Sequence, residues 1–260
     1  DRRACARHAE IARMRKVNSG PAIEPGRLGL RRSQLIEPEP GHVRAEVEDD
    51  YHRFLAELFH DGERIAGVRT ESRRHPWTTC PSAGDHLAAR LTGAALREVA
   101  EREDPLTHCT HMLDLAILAA AHAGDAGPTL YTMFVGDPDG RPRPAILNRN
   151  GAEVLRWTID RTMLVAQGMM AGRDLRGLRR WIGEIEPAMR EPARVLRRGA
   201  YIARGRGFDF STLTTASAVS AVMACYTFSP QHGGDAWHLD DSMRTFDGLE
   251  NRPLADRLSP

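Results

Sequence analysis

The stretch HVRAEVEDDYHRFLAELFHDGERIAGVRTESRR, residues 42–74, decides the fold. Apolar residues alternate with charged ones through HVRAEVED and again on both sides of HDGE, the period-2 pattern of strands with one buried face. HDGE interrupts the alternation as a hairpin turn should, since glycine accepts positive φ and aspartate hydrogen-bonds the backbone that follows it. The stretch is therefore expected to form two or three antiparallel strands.

Beyond it, HPWTTCP closes the sheet, and SAGDHLAARLTGAALREVAERED (82–104) carries helical spacing with Ser82 as N-cap. Cys80 then falls in a strand-to-helix loop. Next comes EDPLTHCTHMLDLAILAAA (103–121), in which Leu113, Ile117 and Ala120 share one face of a helix expected to run to about Ala123. Residues 130–166 return to strands divided by Pro-Asp-Gly and Asn-Gly turns. Residues 174–204 read as helix broken near Pro187 and Pro192, and a further helix is expected over 212–228. The segment from Ser229 onward reads as loop. Residues 1–40, rich in Gly, Pro and charge, read as an irregular N-terminal arm. The expected fold is α+β: a single domain over 41–260 whose antiparallel sheet carries helices on one face. Within it, 41–124 form a core, and 125–260 add strands and C-terminal helices.

Composition narrows the function. The chain has 260 residues, 41% of them hydrophobic, enough for a substantial core. Thirty-six basic and 35 acidic residues leave a formal charge of +1, which argues against nucleic acid or an anionic membrane as partner. Lys16 is the single lysine, so Schiff-base lysine chemistry and a Walker-type phosphate loop are disfavoured. Cys5, Cys80, Cys109 and Cys225 form no Cys-x-x-Cys pair, so neither a zinc knuckle nor a disulfide framework is written locally. No apolar run reaches the ~18 residues of a membrane helix. A soluble cytoplasmic protein acting on a small molecule is expected.

The chemistry concentrates around His108-Cys109-Thr110-His111. Cysteine attacks or binds metal as thiolate, and a helix N-terminus favours the anion through its dipole and unpaired N–H groups. Cys109 is expected at one such helix start and Cys80 before another, so two converging helix starts would make one pocket. On a continuous helix Cys109 and His111 point about 200° apart, at ~100° per residue, so they share a metal only if Cys109 precedes the first turn. His108 and His111 lie three apart, and His111 with Asp114 is spaced to fix an imidazole tautomer. His52 alternates with Tyr51 and Phe54 on an expected strand. Cys225, in AVMACYTF, reads as a buried structural cysteine, and His60, His86 and His122 read as solvent-facing. Neither His-Glu-x-x-His nor Gly-x-Ser-x-Gly occurs.

DDYHRFLAELFHDGERIAGV, RHPWTTCPSAGDHLAARLTG and HCTHMLDLAILAA, followed by CYTFSP and DDSMRTFD, resemble the bacterial domain-of-unknown-function family 2889 over nearly all of the chain after about residue 30. Cys-Thr-His at 109–111 and the Pro-x-x-x-Cys-Pro segment ending at Pro81 are its most specific marks. That family carries no settled activity. Residues 42–123 also resemble iron–sulfur scaffold proteins of the IscU or SufE type, whose last helix likewise follows a His-Cys pair. That resemblance implies metal-binding positions at Cys80, His108 and Cys109. The scaffold's first cysteine falls near Asp49 and Asp50, so Asp50 or His52 would complete a mixed zinc site. Three functions follow as expectations. The first is an enzyme using Cys109, His111, Asp114 and Cys80, directly or through zinc held by His52, Cys80, His108, Cys109 and Asp50. The second is a metal, sulfur or cluster carrier using the same residues, and the third a non-catalytic binding protein. In every case His52, Cys80 and Cys109 are expected to converge.

Overall fold

The computed structural model describes residues 27–102, 107–165, 171–218, 225–246 and 251–258. These fall into two compact units. One comprises Gln34–Thr129 and Phe210–Thr245; the other comprises Leu130–Asp209, the start of the first strand through Ser33, and the described residues after Thr245. The chain is α+β, as expected. The division differs from the single 41–260 domain read from the sequence, because residues 210–245 rejoin the first unit through long-range contacts that local patterning does not reveal.

In the first unit the strands are the later part of β1 (Gly29–Glu39), β2 (His42–Asp49), β3 (Arg53–His60) and β4 (Ile65–Arg74), in the order β4-β3-β2-β1. β1 lies inside the segment expected to be an irregular arm. Its pattern was obscured because its buried positions include Arg32, Ser33 and Gln34, which break the apolar alternation. The β3–β4 hairpin turns where HDGE predicted: Asp61 Oδ1 accepts the backbone N–H groups of Glu63 at 2.8 Å and Arg64 at 2.7 Å.

The antiparallel register sets Val43 opposite Leu58, Ala45 opposite Ala56 and Val47 opposite Phe54. All six side chains are fully buried, on the face covered by α2 (Thr110–Ala121), which packs on β2 and β3. α1 (Ser82–Leu91) packs on β4. The approach is close at Gly84, where any Cβ would collide with the Thr70 hydroxyl. Ser82 is the first helical residue and not the N-cap. Its hydroxyl donates to Thr79 O at 2.8 Å, and Pro81 holds the cap position. The opposite face of β2–β4 holds charge. Glu46, fully buried, accepts from Arg44, Arg53 and Arg73 at 3.1, 3.0 and 2.9 Å.

Residues 210–245 follow irregular paths. Isolated bridges join Trp77 to His238 and Thr215 to Trp237. The helix expected over 212–228 is replaced, in its described parts, by 3-10 turns at Ala216–Ala218 and Tyr226–Phe228. Serine and threonine crowd this segment and compete for backbone hydrogen bonds, which works against a continuous helix.

The second unit orders the start of β1 beside β5 (Thr129–Gly136), β6 (Arg143–Arg149), β7 (Ala152–Asp160) and the short β8 (Met163–Leu164). The Asn-Gly turn at 150–151 takes positive φ at both residues, 51° and 85°, the twist-matched hairpin geometry. Two helices follow, α3 (Leu178–Ile182) and α4 (Pro187–Ile202). Pro187 starts α4 and does not break it, since the first helical position needs no N–H donor. Pro192 lies inside the same helix and is buried there, so the expected break is absent. α4 packs on β6 and β7.

Candidate functional site

The β2–β3 connection builds the first half of the site. Asp49 ends β2, and its side chain folds the turn: Oδ1 accepts the N–H of Tyr51 at 2.9 Å and that of His52 at 2.9 Å. The same oxygen lies 3.0 Å from His52 Nδ1. An aspartate three residues before a histidine, across a tight turn, thus becomes a carboxylate–imidazole pair. The carboxylate is fully buried, while the His52 side chain keeps 14% of its surface exposed.

The second half comes from α2. Cys109 is its N-cap, with extended φ −61° and ψ 113°, and His111 lies in its first turn. The His111 ring stacks on that of His52, with centroids 3.8 Å apart and planes inclined by 30°. Phe54 lies against both rings, at 5.4 and 5.7 Å. One donor atom from each of Asp49, His52 and His111 lies within 4.8 Å of the others. Two imidazoles and a carboxylate are hard-to-borderline ligands suited to a divalent cation, and three protein donors leave coordination positions open. An Asp49 oxygen beside His52 Nδ1 also orients that ring and favours Nε2 as ligand or base.

Cys80 and Cys109 each meet the segment that carries Cys225, and neither is a donor of the carboxylate cluster. Tyr226 N–H donates to His108 O at 3.0 Å, which brings the segment carrying Cys225 alongside the start of α2. Thr227 carries the same segment across to the other helix start: its hydroxyl lies 3.7 Å from Cys80 Sγ and 3.2 Å from the Thr79 hydroxyl. Burial pushes the Cys80 thiol up to about 12, and the neighbouring Cys225 adds to the shift. Cys109 is raised well above its ordinary value, first by its hydrogen bond with Cys225 and then by burial. These shifts run against the helix-dipole expectation of a reactive thiolate. Desolvation leads at Cys80 and adds to the shift at Cys109, since both thiols are almost completely inaccessible, at 4% and 3% exposure.

The site read from the sequence as one is therefore two. His52 and His111 meet at the carboxylate cluster, and Cys80 and Cys109 lie beside the segment that carries Cys225. His108 is fully buried with its ring 4.9 Å from that of His86, on neither set of metal-compatible donors. The aspartate of the cluster is Asp49. The carbonyl of Asp50 accepts from Arg74 and from the Arg244 N–H, both at 2.8 Å, and its carboxylate is not one of the three clustered donors. Asp114, half-buried, is not one of them either. His122, expected at the surface, is 4% exposed at the far end of α2, with Nδ1 2.7 Å from Asp125. Cys5 lies outside the described residues.

Sequence reasoning missed Asp49 and Cys225. The first carried a signal, since an acid ending a strand before a short connection favours a side-chain-closed turn. The second did not, because its partners are remote in sequence. No family model matches the chain, and no curated protein matches it.

Proposed function

We propose that the protein is a metal-dependent enzyme acting on a small organic substrate, with Asp49, His52 and His111 holding one divalent cation, zinc by preference. The observation that supports this reading is the close approach of the three donor atoms. Two imidazoles with one carboxylate fit zinc when a fourth position is left for water or substrate, and the cation supplies Lewis acidity and a lowered water pKa. The partly exposed edge of His52 gives the approach route. The buried, protonated thiols of Cys80 and Cys109 are placed outside the reaction, because a nucleophile or zinc ligand at either would have to ionise against burial.

Zinc titration of the full chain by calorimetry tests the reading. One equivalent should bind to the wild type, and His111→Ala and His52→Ala should each abolish it, while Cys80→Ser should leave it intact. Binding unaffected by both histidine substitutions would sink the proposal. A screen of small esters and amides then checks catalysis: hydrolysis should vanish on chelation and in His111→Ala.

A further inference from the structure

The second unit contains a corner where buried donors lack acceptors. Arg143 opens β6 and is only 3% exposed, yet its one hydrogen bond to a described residue runs from Nη1 to Gly136 O, at a long 3.4 Å. No carboxylate of the described residues pairs with it. A guanidinium taken out of water ordinarily collects acceptors, as the similarly buried Arg74 does from five oxygens. Arg143 leaves its Nε–H and Nη2–H edge unused. Trp157, also 3% exposed, buries its indole Nε1–H without an acceptor among the described residues.

Strand register brings the two together. Arg143 stands opposite Ile159 and Ala145 opposite Trp157, so Arg143 and Trp157 are diagonal neighbours, roughly 7–8 Å apart and within reach of long and aromatic side chains. Alternation places both on the face that carries Met133 and Val135 of β5, which stand opposite Leu147 and Ala145. That face lies under α4: the Tyr131 hydroxyl donates to Glu191 Oε1 at 2.6 Å, and any Cβ at Gly199 would collide with Met133 Sδ. Past α4, the 3-10 turn Ala203–Gly207 reaches the β5–β6 connection, where the Asp137 carboxylate holds Arg206. Arg27 Nε also lies there, 3.4 Å from the position of a Cβ on Gly136.

We propose that this corner binds the carboxylate of a small molecule, with the Nε–H and Nη2–H edge of Arg143 donating to its two oxygens and the Trp157 Nε1–H donating to one of them. A planar guanidinium edge matches a carboxylate in geometry and charge. Phosphate suits the corner less well, because its second negative charge would meet Asp137 and Asp139, whose fields already reach Arg143. The near-complete burial of both donors limits the occupant to a small acid.

The full chain, labelled with nitrogen-15, is titrated with sodium acetate and followed by NMR. The Trp157 indole N–H signal, assigned by its loss in Trp157→Phe, should move and saturate, while the same concentrations of sodium chloride leave it in place. Arg143→Met should abolish the saturable movement. Arg143→Lys keeps the charge but not the planar fork and should bind acetate about tenfold more weakly, which keeps the test open if the methionine variant fails to fold. A signal that does not move, or moves equally with chloride, overturns the proposal. So does saturable binding that survives in Arg143→Met, undiminished affinity in Arg143→Lys, or inorganic phosphate binding more tightly than acetate. Zinc binding at the histidine cluster is read separately, so either idea can fail alone.

Discussion

Two clusters hang from the first turn of one helix, and they differ in almost every physical respect. Asp49, His52 and His111 form a polar group with a buried carboxylate and one partly exposed imidazole. Cys80 and Cys109, beside the segment that carries Cys225, are thiols in which burial works against charge. The difference teaches that position at a helix start does not decide reactivity. The dipole advantage is worth roughly 0.3–1 kcal/mol. The desolvation of a thiolate outweighs it at Cys80, where the thiol stands at about 12 against an ordinary 9.0. His111, two residues beyond Cys109, stacks on His52 with a ring nitrogen within 4.8 Å of an Asp49 oxygen, and inherits a different chemistry.

Alkaline titration should separate the clusters most widely. A thiol with a raised folded pKa favours folding while protonated, so its contribution is fully present below pH 9.0 and is lost as pH rises toward 12. At full strength this amounts to as much as about 4 kcal/mol. Urea unfolding at a series of pH values should show stability falling above 9.0, and Cys80→Ala should flatten the slope; an unchanged slope would mean that Cys80 is not desolvated.

Asp49→Ala comes next. It removes the acceptor of two backbone N–H groups in the β2–β3 connection, and stability should drop by about 3 kcal/mol. Asp49→Asn keeps an acceptor oxygen and should cost about 1 kcal/mol while still weakening metal binding. Equal losses in the two variants would show that the turn does not depend on this side chain.

Cys109→Ser should cost roughly 1–3 kcal/mol, since it sets a hydroxyl in an apolar enclosure. Zinc stoichiometry at the histidine cluster should not change. A variant that melts normally but no longer binds zinc would merge the two clusters into one site and break the contrast.

Asp125→Asn should do least. It weakens the Asp125 contact with His122 Nδ1 at the other end of α2, where Asp125 is 43% exposed, and a loss of no more than about 0.5 kcal/mol is expected in thermal melts.

Much of this was legible in the residues. The β3–β4 hairpin, the Asn-Gly turn and α2 all follow from local pattern. The ~200° separation on a helix left the relation of Cys109 to His111 open, since Cys109 is the N-cap and precedes the first turn. Three things were not legible. β1 hides its period behind buried Arg32, Ser33 and Gln34. Cys225 comes to the start of α2 only by a return of the chain through Phe210–Thr245. Asp49 was passed over for Asp50 because adjacent acids look alike until the backbone shows which one closes the turn.

Arg74 holds the loop that carries Asp49 and His52 without being one of the cluster's donors. Its guanidinium donates to Asp49 O at 2.6 Å, Asp50 O at 2.8 Å and, more weakly, His52 O at 3.4 Å, while also reaching Ser242 O at 2.9 Å and the Glu48 carboxylate at 3.2 Å. Every loop contact is to main-chain carbonyls, so the grip is indifferent to which side chains the loop bears. Scaffold and chemistry are thereby separable traits. The residue at 52 is open to exchange over evolutionary time, whereas Asp49 also closes the turn with its own carboxylate, so a descendant with a different residue at 52 would inherit the same cradle.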